Sequence, residues 1–360
     1  MNYFKITIMV LILQFSFSLK AAEFCVTTAF ELHNALATAE SNGTHDTIKV
    51  AEGSYKLFGN PFSYQETNGK NLTISGGWTD FQGNPCGQQL SNNPYGTVLD
   101  GNLSSIILEI ELSGNGDLDV SGFNFINGYT ATGRGGAINV SHVNALETGK
   151  VTINRNVFIN NEAEFGSALY LRHANEFQIR NNLFFANNAH VRYVVSTLQI
   201  NAFGSLFTNN TVLNNTVTAD DIAGVGLSGS HGAAVLLANN IIRDNEGLDL
   251  RVQSASALYL KNNNIDKMNT PPPIEDLNNI DLPARFENSL LSFTPAAISP
   301  LVNAGTKPCS ICPIPIPFDD SWAIGTIDLA GNIRNQKGKV DIGAFESSHD
   351  PDLIFWGTFD

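Results

Sequence analysis

The strongest constraint in this 360-residue chain is a phrase that recurs. "VTINRNVFINN" (151 to 161) is followed by "FQIRNNLFFANN" (177 to 188): a branched-apolar run, asparagines, an aromatic, then asparagines again. Aligning blocks on the closing asparagine gives Asn127, Asn161, Asn187, Asn215, Asn245 and Asn269, spaced 34, 26, 28, 30 and 24 residues apart. Each block holds short apolar-polar alternations such as "VTINRNVF" and "SALYLRH". Units this short cannot hold a βαβ crossover, and their glycine and asparagine content argues against helices. Stacked coils of two or three short strands satisfy the spacing, which predicts an all-β parallel β-helix, a solenoid, over 46–270. Asparagine suits the corners because it tolerates left-handed backbone and can bond to its counterpart one coil away. Phe158 and Phe184, at matching places, are expected to stack inside. An antiparallel sandwich, the alternative, gives no reason for asparagine to recur once per block.

A solenoid has two open ends, each a row of unpaired backbone groups. Within 23–45, Thr28 stands three residues before Glu31 as a capping box, and Phe30, Leu32, Leu36 and Ala39 follow at helical spacing up to Gly43. This predicts an N-terminal capping helix over the first end. The irregular, proline-rich region from about 270 is expected to cover the second.

Residues 1–22 read as a secretory signal peptide: Lys5, an apolar run from Ile6 to Leu13, then small residues with cleavage after Ser18, Ala21 or Ala22. The fully apolar core is short for a membrane anchor, and no later segment approaches spanning length. Cys25, Cys86, Cys309 and Cys312 make an even count suited to two disulfides in an oxidising compartment. A local bridge between Cys309 and Cys312 would leave Cys25 for Cys86. The single CxxC lacks the further ligands that zinc needs.

The net charge of -14, from 20 basic against 34 acidic residues, speaks against nucleic acid as a partner. It suits solubility, cations or neutral glycans.

Four pieces in order resemble secreted bacterial right-handed parallel β-helix proteins of the pectate-lyase-like superfamily, and within it those with a choice-of-anchor Q region. They are "LTISGGW" (72 to 78) leading to "TVLDG" (97 to 101), "GRGGAINV" (133 to 140), "SPLVNAGT" (299 to 306) and "DLAGNIRNQKGKVDIGAFE" (328 to 346). The resemblance implies a right-handed coil, last coils and a C-terminal anchor-like region over 271–346, and a secreted or cell-surface setting. It implies no reaction, since one scaffold carries lyases, hydrolases and adhesins. The 347–360 tail, ending "PDLIFWGTFD", resembles short sorting tails of secreted bacterial proteins, with Gly357 and Thr358 out of pattern.

No nucleophile elbow, HExxH or phosphate loop is present. Strand alternation predicts an outward polar row of Asn139, Tyr170, Arg172, Gln199, Asp249 and Arg251, fit to hold an extended glycan. The expected function is therefore binding of extracellular polysaccharide or another surface component by a monomer, without catalysis. In the alternative, a polysaccharide lyase, Arg172 or Arg251 is the base and calcium sits on Asp249 and Asp244. A hydrolase would draw on Asp220 with Asp221, or Asp117 with Asp119, each pair read as a solvated turn. His173 and His190 read as turn residues.

Overall fold

The structure, a computed structural model, describes residues 21–349 except 82, 91–92, 144–148, 173–175, 201–202, 220–221, 230–232, 255–256, 289–291, 308–317, 319–321, 323 and 337. The chain is a parallel β-helix. Sheet I runs from Ala22–Val26 through Asp46–Ala51, Leu72–Phe81, Leu118–Ser121, Lys150–Asn154, Glu176–Arg180, Phe203–Thr208, Ala234–Ala238 and Ala257–Lys261 to Glu275–Leu277. Sheet II runs from Gly53–Lys56 to Asn264–Ile265, and sheet III from Phe62–Glu66 to Met268–Asn269. A short sheet IV, of Glu162–Phe165, Asn188–Arg192 and Thr216–Val217, lies between II and III in the middle coils.

Alternation fills the interior with aligned rows. On sheet I, Ile74, Val120, Ile153, Ile179, Phe207, Leu237 and Leu260 stand in register and are buried. On sheet II, Phe125, Phe158 and Phe184 stack with ring centroids 5.1 and 4.7 Å apart and planes within 6°. Such stacking adds about 1 kcal/mol per pair to the burial of the rings.

The asparagines divide into two jobs. At the corner between sheets I and II, Asn181, Asn209, Asn239, Asn262 and Asn278 have positive φ, and the residue after each is an inward asparagine. Asn156, Asn182, Asn210, Asn240, Asn263 and Asn279 form a buried ladder: each backbone N–H donates to the side-chain carbonyl of the next. Each Nδ2 also donates to a backbone carbonyl one coil back, as Asn182 does to Ile153 and Asn210 to Ile179, both near 2.9 Å. A second ladder, Asn161, Asn187, Asn215 and Asn245, runs down the far end of sheet II. Asn127 does not join it: it takes the left-handed position (φ 56) and Gly128 the ladder place, where a Cβ would lie 2.9 Å from Asn161 Oδ1. Asn269 is an exposed residue of the last sheet III strand, because the second ladder ends one coil earlier.

The helix Ala29–Asn42 forms as expected, with the reciprocal Thr28–Glu31 capping box and Gly43 left-handed at its end. It buries Leu32, Ala35, Leu36 and Ala39 in the core, and His33 meets Phe62 at 4.6 Å. Phe30 is 74% exposed, since the capping turn points it away from the coil. A strand not foreseen, Ala22–Val26, precedes the helix and pairs with Asp46–Ala51. Cys25 on it is bridged to Cys86. Cys309 and Cys312 lie outside the described residues, as do residues 1–20 of the segment read as a signal peptide and residues 350–360 of the tail. Among the described residues no helix is long and apolar enough to cross a membrane.

The region from about 270 divides in two: Glu275–Leu277 pairs with Ala257–Lys261 as the last rung of sheet I, and Asn279 closes the first ladder, whereas the part beyond 296 does not lie over this end. The described residues between 296 and 347 lie along the flank, over the corner between sheets I and II. Leu301, Leu329, Ile342, Ala344 and Phe345 pack on Val157, Leu183, Leu213 and Ile241 of sheet II. Phe318, Trp322, Ile324 and Val340 pack on Leu206, Leu236 and Ala238 of sheet I. The outward asparagines grip this strap: Asn181 Nδ2 donates to Ile324 O, Asn239 Nδ2 to Thr306 O and Asn262 Nδ2 to Ala304 O. The last coil ends with Met268, Ile274, Leu277 and Leu282 exposed.

The motif at 328–346 folds around Arg334, which is fully buried. Its guanidinium donates to Glu346 Oε1 (2.7 Å), to the carbonyls of Gly343 and Ala344, and to Asn181 Oδ1. Asp328 and Asp341, also buried, accept backbone N–H groups of the same loop. Burial first, and Asp341 after it, push the Glu346 carboxyl up to about 7, with Arg334 opposing. Glu346 thus keeps a proton in the folded chain that the unfolded chain, near 4.5, releases. Burial pushes Asp341 in the same direction.

Two outcomes are expected. Asn215→Ala strips partners from Asn187 N–H and Phe184 O and should cost about 3 kcal/mol in denaturant unfolding, whereas the neighbouring exposed, left-handed Asn214→Gly should stay within about 1 kcal/mol. Stability should fall as pH rises from 4.5 towards 7 and flatten above, and Glu346→Gln should reduce that slope.

Candidate functional site

The strap covers the outer faces of the later coils of sheets II and I, and sheet III faces outward on the opposite flank. Register there places Ser63, Glu109, Asn139, Tyr170, Ser196, Gly226, Arg251 and Asn269 in one row. Asn139 and Tyr170 are neighbours as expected, and Asn139 Nδ2 reaches Glu109 Oε1 at 3.5 Å. The expected row is not continuous beyond them. Ser196, rather than Gln199, follows Tyr170; the strand is irregular between Thr197 and Ile200, which shifts Gln199 out of step. Gly226 comes next because the Tyr193 ring lies where its side chain would be, 2.5 Å from an added Cβ. Arg251 is thereby three strands away from Tyr170. Arg172 is exposed and belongs to the adjacent row with Glu111 and Ser141.

Two further expectations about this face are corrected. Tyr170 is 1% exposed, with the Arg134 guanidinium of the loop before sheet IV lying 5.3 Å over its ring. Its hydroxyl has no hydrogen-bond partner in the protein, and burial pushes it up against the opposing pull of Arg134 and Arg172. Asp249 is fully buried and does not face out. Its Oδ1 accepts Asn245 N and Nδ2, and its Oδ2 accepts Lys267 N, so it terminates the second ladder. Both oxygens are thereby committed to the fold, while Asp244 holds the left-handed position before Asn245 and pairs with Arg243 at 3.3 Å. Among the described residues no three His, Cys, Asp or Glu side chains come together to hold a metal ion.

What the face does contain is a cleft of about 330 Å³ lined by Pro61, Ser104, Ser105, Ile106, Glu109, Tyr129, Thr130 and Ala131. It opens where sheet IV begins. The early coils lack that ridge; the Tyr129–Ala131 segment starts it, through bridges of Tyr129 to Glu162 and Arg134 to Phe165. Tyr129 N donates to Ser105 O and Thr130 N to Glu162 O, which fixes the wall between two coils. His190 supports it from behind: Nε2 lies 2.5 Å from Glu162 Oε1 and Nδ1 3.1 Å from Ala131 O, with the Tyr129 ring edge-on at 6.5 Å. It is hydrogen-bonded, as the turn reading expected, but it stands on the strand Asn188–Arg192 and braces two coils.

The aromatic, the three apolar residues Pro61, Ile106 and Ala131, and the hydroxyls with one carboxylate make a surface suited to a polyhydroxylated ligand. Sequence reasoning missed Glu109, Tyr129 and Glu162. The signal was the unequal spacing: the 34-residue gap ending at Asn161 contains the extra "YTATGRGG" loop that builds the wall.

Elsewhere, Asp117 is exposed and accepts Lys150 N, whereas Asp119 is a strand residue on the outer face of sheet I, its carboxyl raised by burial. That pair is no solvated turn. His173, Asp220 and Asp221 lie outside the described residues. No family model, no curated protein and no solved structure matches this chain.

Tyr170→Phe removes a hydroxyl that has no partner and should leave stability unchanged or raise it by about 1 kcal/mol in thermal or denaturant unfolding. A loss above that would mean the hydroxyl is bonded.

Proposed function

We propose that this protein is an extracellular β-helix protein, of the pectate-lyase-like superfamily with a choice-of-anchor Q-like C-terminal region, that binds carbohydrate without transforming it. The observation that carries the binding role is the cleft at Tyr129, where one aromatic face, apolar Pro61 and Ile106, the hydroxyls of Ser104, Ser105 and Thr130, and Glu109 converge. Sugar rings present an apolar face and a rim of hydroxyls, and this lining complements both. Asn139, in register beyond Glu109, extends the polar surface along the coil axis for a chain longer than one sugar.

The lyase reading draws less support. Its parts are dispersed: Asp249 is spent on three N–H donors, and Arg251 stands three strands from Tyr170. A secreted setting is supported by the apolar N-terminal run and by the Cys25–Cys86 bridge, a bond that persists in oxidising compartments.

Glycan-array binding of the mature chain tests this. Tyr129→Ala and Glu109→Gln should each weaken the bound glycan about tenfold. Ultraviolet absorbance should stay flat when the protein is incubated with acidic polysaccharides and calcium. Growth of absorbance that Arg172→Ala abolishes would replace the binding reading with the lyase one, and binding indifferent to both cleft substitutions would remove the site.

A further inference from the structure

The cleft at Tyr129 has one charged residue in its lining, Glu109. The strand Leu108–Leu112 alternates, so Glu109 and Glu111 leave sheet III on the same outer side. Glu109 is exposed, and among the described residues it meets no lysine or arginine: its contact is Asn139 Nδ2, at 3.5 Å. Glu111 accepts Gln65 Nε2 at 2.7 Å, a neutral donor that leaves its charge in place. Behind the wall, Glu162 is held by His190. Two basic residues of the face sit further along it. Arg134 has its guanidinium over Tyr170, the second residue along the row from Glu109, and Arg172 stands two strands beyond Glu111.

A carboxylate without a cationic partner, set beside an aromatic ring, is an arrangement that recognises an ammonium group. The carboxylate accepts a charge-assisted hydrogen bond, and the face of the ring attracts a cation electrostatically. The rest of the lining, Ser104 and Thr130 with Pro61 and Ile106, meets the hydroxyl rim and the apolar face of a sugar. At about 330 Å³ the cleft is at the small end of ligand sites, with room for one sugar residue and its linkage. A uronate there would set its own carboxylate against Glu109 and Glu111, and like charges repel.

We infer that this cleft selects a glycan bearing a free amine, a hexosamine unit whose ammonium pairs with Glu109 while its ring lies on Tyr129. The inference rests on the carbohydrate-binding reading of the same cleft and names the class of sugar. Glu109 is then the residue that sets specificity, and Tyr129 the platform common to any sugar. Because the carboxylate is exposed, salt screens it, and the preference for the amine weakens as ionic strength rises.

Titration calorimetry of the full mature chain tests this with trimers of glucosamine, N-acetylglucosamine, glucose and galacturonate, and with spermidine as a cation without a ring, at a pH where the amines are protonated. The glucosamine trimer should bind at least about tenfold more tightly than the other ligands. Glu109→Gln should remove that margin, weakening the glucosamine trimer about tenfold and leaving the glucose trimer within about twofold. Tyr129→Ala should weaken every trimer together. Asp266→Asn, which removes an exposed carboxylate of the last coil, should leave binding unchanged and so separate the site from the net charge of -14. The inference is overturned, with the carbohydrate reading left standing, if the acetylated, glucose or uronate trimer binds as tightly, or if all trimers share the Glu109→Gln loss. It is overturned in favour of bare charge if spermidine matches the glucosamine trimer, or if Asp266→Asn weakens binding as much as Glu109→Gln. Wild-type protein that binds no trimer overturns the carbohydrate reading itself, and this inference with it.

Discussion

A side-chain amide taken out of water must find acceptors for two N–H groups and donors for its carbonyl, and in this fold that demand is met only by stacking. Each ladder asparagine accepts from the coil before it, donates to the asparagine of the coil after it, and donates again to a backbone carbonyl one coil back. Three coils are thereby tied at one residue. Because the bonds require counterparts at one height per coil, the ladders set both the register of the sheets and the length of sheet II between its two corners. The aromatic stack of Phe125, Phe158 and Phe184 lies between the two corners.

The left-handed residue that precedes each ladder asparagine turns the chain and aims its own side chain outward. At the first corner those outward groups, Arg155, Asn181, Asn239 and Asn262, are what the C-terminal strap docks on. One dipeptide therefore specifies the interior and the docking edge together. The strap in turn decides which surface remains available: it covers the later coils of sheets II and I and leaves sheet III open. The Tyr129 cleft arises at a step in an otherwise regular coil, where sheet IV begins.

Legibility from sequence followed regularity. The coil, its period, the capping box and the phenylalanine stack were readable because each repeats or obeys a local rule. The strand Ala22–Val26 was hidden by its brevity, and its pairing is with a strand beyond the helix. The outward row failed for a specific reason: alternation says which way a side chain leaves a strand, and nothing about what folds over it. Tyr170 does leave sheet III on the outer side, yet it is buried with Arg134 over its ring. Asp249 was misplaced because counting from Leu248 assumes a strand, whereas the strand starts at Leu250 and Asp249 still belongs to the corner. The Tyr129 wall and the Arg334 cluster depend on contacts between segments far apart in sequence, which no periodicity encodes.

Hydrogen exchange at the ladder amides tests the dependence of the structure on these corners most directly. The backbone N–H groups of Asn182, Asn210 and Asn240 in the first ladder and of Asn187 and Asn215 in the second should be among the slowest in the chain. They should exchange with a common free energy, as one cooperative unit, while amides of the strap such as Thr306 and Ala344 open earlier. Ladder amides that exchange as fast as the strap, or coil by coil with unrelated free energies, would contradict the account.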